Sequence, residues 1–179
     1  MNGLATTQIE GFAVAARNFC TWATSAVLQD EHEAGLAAQY LSALFAAGCA
    51  FGWDEGEPGD FRRPATQGVE AVRAKASALQ FRYYSEIFNN LVIPPEEPVV
   101  GDIVDDLVDI YSDVAPGLAL FESGDQGGAR NHWQFWFSRH WGEHATSALR
   151  ALWSYLSERE GHELSRASQK GSLEQTPEK

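Results

Sequence analysis

Apolar residues recur at steps of three and four along most of the chain, which is the spacing of one face of an α-helix. Over residues 7–28 this face consists of Ile9, Phe12, Ala16, Phe19, Ala23 and Val27. Over residues 31–51 it consists of Leu36, Tyr40, Leu44 and Phe51. Each segment therefore predicts an amphipathic helix, and Asp30 followed by Glu33 is typical of a helix start.

Three further segments carry the same spacing. Residues 66–90, 99–122 and 129–157 predict a third, a fourth and a fifth helix, and no convincing strand alternation is visible. Pro116 lies inside the fourth pattern and is expected to kink or split that helix, because proline has no amide hydrogen. The predicted fold is therefore all-α, an antiparallel bundle of about five helices.

The chain has 179 residues, which suits one domain with one core. We predict a single helical domain over residues 1–157. Residues 53–65 predict an irregular loop, because glycine and proline interrupt every regular element there. Residues 158–179 contain few apolar side chains and predict a disordered or frayed tail.

The net charge is −12, from 25 acidic and 13 basic residues. A surface this negative repels phosphate backbones and anionic lipids, so no nucleic acid and no membrane is expected as a partner. Residues 34–53 carry no charge over a length that could span a bilayer, but half of them are alanine or glycine, which favours a buried helix. The first residues lack the basic start of a secretory signal, so the cytoplasm is the expected location.

Aspartates form a narrow strip on the predicted fourth helix: Asp102, Asp105, Asp106, Asp109 and Asp113. No lysine or arginine lies between residues 101 and 121 to relieve their repulsion. Three interpretations stay open. The strip is a solvated acidic face, or it forms salt bridges to arginines of a neighbouring helix, or it binds a hard divalent cation through carboxylate oxygens.

His140 and His144 lie four residues apart on the predicted fifth helix, so both imidazoles share one face. A uniform helical wheel places them on the apolar side with the tryptophans, and places His132 on the polar strip. The histidines either bond to carboxylates and carbonyls at the edge of the core, or they join Asp106 and Asp109 in a metal site between helices four and five.

Aromatic residues of the fifth helix either belong to the core or line a ligand pocket. Trp136 falls near the polar strip beside Arg139, and Trp53 opens the predicted loop. These three residues are the candidates for ligand binding.

Three segments carry a resemblance to a known family: FAVAARNFC at residues 12–20, DDLVDIYSD at residues 105–113, and WG at residues 141–142 followed by SALRAL at residues 147–152. The chain resembles the DUF5063 family of short bacterial helical proteins, a domain of unknown function. The resemblance implies a bacterial all-α protein and transfers no catalytic residue.

Two classes of function remain. Because no complete catalytic constellation is visible and the surface is acidic, the first hypothesis is a non-catalytic interaction or adaptor module with a protein partner and no cofactor. The alternative is a metal-dependent helical-bundle enzyme, a hydrolase, that holds a divalent metal with Asp106, Asp109, His140 and His144. The sequence leaves open whether the protein is an enzyme.

Overall fold

A computed structural model of the protein describes residues 2–27, 30–51 and 67–173. The described residues are 74% helical and include one two-stranded sheet. The helices and strands follow in the order α1 (Asn2–Thr24), α2 (Asp30–Cys49), α3 (Val69–Ser77), β1 (Tyr83–Glu86), β2 (Val99–Asp102), α4 (Ile103–Glu122), α5 (Gln126–Trp136) and α6 (Gly142–Leu173). A π-helical turn, Phe137–Trp141, joins α5 directly to α6.

The π-helical turn makes α5 and α6 one continuous helix. The described part of the chain therefore contains five helices, which confirms the predicted helical bundle. Its core is built from the apolar faces seen in the sequence. Phe12 of α1 lies at the centre, with its ring centroid 4.5 Å from Trp133 and 6.0 Å from Trp141. All three side chains are fully buried, so α1, α5 and the π-helical turn share one hydrophobic core.

The predicted third helix is wrong beyond Ser77, where α3 ends. Residues 83–86 instead pair antiparallel with residues 99–102, which the sequence assigned to the start of the fourth helix. Tyr84 faces Gly101 across this hairpin. Tyrosine and valine favour extended backbone, and the pairing partner lies too far along the chain for local periodicity to reveal it.

Asp102 ends β2 and caps α4, since its carboxylate accepts a hydrogen bond from the amide of Val104 at 3.0 Å. Pro116 does not split this helix, which continues to Glu122. Two carbonyls near the proline accept side-chain hydrogen bonds from α5: that of Asp113 from His132 and that of Val114 from Trp133. The packing of α5 therefore supports the backbone where proline weakens it.

The π-helical turn alters the face that each residue of the predicted fifth helix presents. Its wider i→i+5 spacing accommodates one extra residue, and a side chain at Gly142 would collide with the carbonyl of Phe137. A wheel of constant angle therefore misplaces residues across the turn. His132, predicted on the polar strip, is buried.

Helix α6 continues past the predicted domain boundary at residue 157 and ends at Leu173. The predicted tail 158–179 is therefore helical as far as Leu173, and the division into domain and tail stays a prediction. The predicted loop 53–65 lies outside the described residues. Within the described ranges, no helix is both long and apolar enough to cross a bilayer.

Candidate metal centre between α4 and α6

Two histidines of the second half of the bundle lie against aspartates of α4. His140 is in the π-helical turn and His144 is in the first turn of α6, and their ring centroids are 4.6 Å apart. Nδ1 of His140 lies 2.7 Å from Oδ2 of Asp113, and Nδ1 of His144 lies 2.8 Å from Oδ1 of Asp106. The structure thus brings the two sequence-derived groups of candidates together.

These two contacts fix the orientation of each imidazole. A carboxylate oxygen only accepts hydrogen bonds, so Nδ1 of His140 and Nδ1 of His144 each donate a hydrogen. In a neutral imidazole the other nitrogen, Nε2, then carries the lone pair and is the nitrogen that can bind a metal ion. Both aspartates are buried, with side chains 0% exposed at Asp113 and 7% at Asp106. The same arrangement orients histidine ligands in metal sites, where a carboxylate holds the nitrogen opposite the metal.

The third member of the centre is Asp109, one turn along α4 from Asp106. Its Oδ2 lies 3.7 Å from Nε2 of His144. Asp109, His140 and His144 each offer one ligand atom, and these atoms lie within 4.8 Å of one another. All three side chains are half-buried, so the cluster is open to solvent on one side. A divalent ion and an exchangeable ligand can reach it.

Asp106, which the sequence predicts as a fourth ligand, faces the opposite side of His144. Its Oδ1 accepts from His144, and its Oδ2 accepts from the hydroxyl of Tyr84 at 2.6 Å. Asp106 therefore holds His144 in place, and it does not belong to the group of three ligand atoms. Tyr84 reaches Asp106 across Gly101, where any side chain would collide with the tyrosine ring.

The electrostatics of this network favour a proton on the imidazole of His144, and a metal ion that binds Nε2 would have to displace that proton. The hydrogen bond to Asp106 raises the pKa of His144 above its ordinary value, and burial opposes the increase. Burial and the hydrogen bond to Asp106 raise the pKa of Tyr84, so its hydroxyl keeps its hydrogen and remains a donor. The buried carboxylate of Asp106 is thus compensated by two donors.

Similarity to known proteins extends over nearly the whole bundle. A family model, DUF5063, a domain of unknown function, matches residues 4–158. The chain belongs to this family. A crystal structure of protein BF1032 from Bacteroides fragilis is similar in fold, with a TM-score of 0.64, 18% identity and coverage of 81% of this chain and 89% of that one. No curated protein matches the chain.

In this DUF5063 chain, a third histidine anchors α5 to α4. Nε2 of His132 lies 2.8 Å from the carbonyl oxygen of Asp113. Because that oxygen only accepts, Nε2 is the donor. Burial lowers the pKa of His132 below its ordinary value, although the same hydrogen bond opposes the change. Asp113 is therefore held through its backbone by His132 while its side chain orients His140.

The lowered pKa of His132 predicts a loss of stability in acid. The unfolded chain binds the proton more readily, so the stabilisation is complete above the unfolded pKa of about 6.5 and is lost as the pH falls through the folded value. We expect the wild-type protein to lose more free energy of unfolding between pH 7.5 and pH 5 than His132→Gln, measured by urea denaturation. The exposed His32→Gln is the control, and equal pH slopes for wild type and His132→Gln would contradict the assignment.

Two of the three predicted ligand-binding residues, Trp136 and Arg139, belong to the part of the chain that the structure describes. Trp136 is half-buried and meets His140 edge-on, with ring centroids 6.0 Å apart. Arg139 is exposed, and its guanidinium lies 5.2 Å from the ring centroid of Phe135. Arg139 and His140 line a cleft of about 670 Å³ together with Phe45 and Phe88. Trp53 lies outside the described residues.

Four residues around the centre were not identified from the sequence as site residues. Asp113 was assigned only to the aspartate strip, although its seven-residue spacing from Asp106 places both on one helix face. Tyr84, Glu86 and Ser147 carried no signal, because Tyr84 and Glu86 were assigned to a helix. In the structure, the hydroxyl of Ser147 donates to Glu86 next to Tyr84. Tyr84 and Glu86 become candidate site residues only when residues 83–86 are assigned to a strand that pairs with residues 99–102.

Proposed function

We propose that the protein binds a divalent transition-metal ion through Asp109, His140 and His144 and uses it for metal-assisted hydrolysis. The observation that carries the proposal is the orientation of the histidines. Each Nδ1 is bonded to a buried carboxylate, so Nε2 is the nitrogen with which each imidazole can bind a metal ion, and Nε2 of His144 lies 3.7 Å from Oδ2 of Asp109. Two histidines that serve only as hydrogen-bonded polar residues at the edge of the core would need no third metal ligand beside them.

The donor set favours particular metals. Imidazole nitrogen suits Zn²⁺, Fe²⁺ and other first-row ions, whereas Mg²⁺ and Ca²⁺ prefer oxygen alone. Metal–ligand bonds of about 2.0–2.2 Å require ligand atoms about 3.4 Å apart in a tetrahedral site. The pair formed by His144 and Asp109 is already at 3.7 Å, and the others lie within 4.8 Å. A side-chain adjustment of about 1 Å closes the site.

Three protein ligands leave a coordination position for water or substrate, which is typical of catalytic rather than structural metal sites. A metal ion bound there polarises a substrate oxygen and lowers the pKa of a water molecule, which is the basis of hydrolysis. The protein side chains bind and orient: Asp106 and Asp113 fix the imidazoles, and Tyr84 fixes Asp106. The adaptor interpretation stays a hypothesis, and the site geometry favours the metal-dependent alternative.

Isothermal titration of Zn²⁺ into untagged, chelator-treated protein tests the proposal. We expect one ion per chain in the wild type and at least a 100-fold loss of affinity in His140→Ala and in His144→Ala, because each change removes a ligand. Asp113→Asn, which alters only the residue that orients His140, should weaken binding by about 10- to 100-fold.

Two controls match these variants. His32→Ala removes an exposed histidine of α2, and Asp105→Asn removes a neighbouring carboxylate that pairs with Arg73; both should bind Zn²⁺ as the wild type does. Wild-type protein that binds no stoichiometric Zn²⁺, Mn²⁺ or Fe²⁺ would refute the proposal. So would histidine variants that bind as tightly as His32→Ala.

A further inference from the structure

A second cleft lies between β1 and α6, with a volume of about 450 Å³. On the strand side Tyr84 and Glu86 line it, and on the helix side Ser147, Arg150 and Tyr155 do. None of these five residues is among the three candidate metal ligands. The cleft is therefore a site separate from the three candidate metal ligands.

The helix wall of the cleft begins about one turn beyond the candidate metal centre on α6. Ser147 follows His144 by three residues, so the two side chains are neighbours on the helix surface. Arg150 lies six residues beyond His144, which is about 9 Å along the helix axis. Tyr84 belongs to both places, because its ring lines the cleft while its hydroxyl bonds to Asp106 behind His144.

Arg150 supplies the positive charge of this cleft. It is exposed and forms no ion pair with any residue that the structure describes. In a chain with a net charge of −12, a guanidinium without a carboxylate partner is available for a ligand. Its planar fork matches a carboxylate or a phosphate through two parallel hydrogen bonds.

An apolar wall lies beyond the arginine. Phe81 and Tyr155 stack on each other with ring centroids 4.8 Å apart, and both line the cleft. Their ring edges offer contact to a hydrocarbon or aromatic body. A ligand that uses the whole cleft therefore has one anionic group and an apolar part.

The charge of the other lining residues decides between carboxylate and phosphate. Glu86 and Glu158 line the same cleft. Two carboxylates repel a dianion more strongly than a monoanion, so a singly charged carboxylate suits the site better than a phosphate monoester.

We propose that this cleft binds a small organic monocarboxylate with an apolar body, whose carboxylate pairs with Arg150. That this ligand is also the substrate of the metal centre rests on the proposed function, since Ser147 of the cleft lies one turn from His144. Binding of the carboxylate itself does not depend on a metal.

Calorimetric titration with 4-phenylbutyrate tests the proposal, with 4-phenylbutyramide and phenyl phosphate as comparison ligands. We expect the carboxylate to bind at least about 10-fold more tightly than the amide, because the amide lacks the charge that pairs with arginine. Phenyl phosphate should bind more weakly than 4-phenylbutyrate. Arg150→Gln should lose at least about 10-fold in affinity for 4-phenylbutyrate.

The matched control is Arg17→Gln, which removes an exposed arginine of α1 outside this cleft and should bind as the wild type does. Wild type and Arg150→Gln with equal affinities would overturn the proposal, as would equal losses in both arginine variants or tighter binding of phenyl phosphate. The same titration on the double variant His140→Ala, His144→Ala separates the two proposals. Retained binding there supports the carboxylate site even if Zn²⁺ binding fails.

Discussion

Replacing Lys75 with methionine is expected to lower the free energy of unfolding by about 3–5 kcal/mol, because it leaves a buried carboxylate without its cation. Lys75 of α3 and Glu33 of α2 are each 1% exposed, and their Nζ and Oε1 atoms lie 2.6 Å apart. Nζ also donates to the carbonyl of Ala26, and Trp22 of α1 donates to the other carboxylate oxygen of Glu33. One ion pair thus links three helices.

Urea denaturation of two further variants isolates this cause. Lys75→Met combined with Glu33→Gln removes both charges and leaves an acceptor for Trp22, so it should recover at least half of the loss. Arg73→Met on the same helix breaks an exposed pair with Asp105 and should cost less than about 1 kcal/mol. A single variant that loses no more than Arg73→Met, or a double variant less stable than the single one, would contradict the prediction.

The sequence predicts the helices well where burial alone decides them. The faces of α1 and α4 carry their apolar residues at the expected spacing, so hydrophobic burial imposes the same elements that the pattern predicts. The hairpin could not be predicted in this way. Residues 83–86 are extended because they pair with residues 99–102, and no local pattern encodes a partner that lies across a proline-rich connection.

The candidate site is predictable to a similar degree. The spacing of His140 and His144 places both on one face, and the spacing of the aspartates places Asp106 and Asp113 on another. How His140 and His144 face α4 depends on the π-helical turn, which changes the phase between α5 and α6. A wheel of constant angle therefore cannot separate the orienting carboxylates from the candidate ligand Asp109.

Gly117→Ala is expected to destabilise the protein by about 2–3 kcal/mol, although alanine is the better helix former, because the added methyl group overpacks the core. A Cβ atom at Gly117 would overlap the indole of Trp133, with Nε1 as the nearest atom. The indole of Trp133 cannot move away from the added methyl group. Trp133 is fully buried, its Nε1 donates to the carbonyl of Val114 at 2.9 Å, and Phe12 packs against it.

The consequence of this overlap should extend to the candidate metal centre, because Gly117 allows the close approach of α4 and α5. If the helices separate there, the hydrogen bond between Asp113 and His140 lengthens, and Zn²⁺ affinity should fall along with stability.

Gly35→Ala is the matched control, since a Cβ atom added at Gly35 would meet no neighbouring group within 4 Å, and it should stabilise α2 by up to about 1 kcal/mol. Combining Gly117→Ala with Trp133→Phe removes Nε1 from the point of overlap, so the two losses should be less than additive. Additive losses in urea denaturation would show that the contact between Gly117 and Trp133 does not set the spacing of α4 and α5.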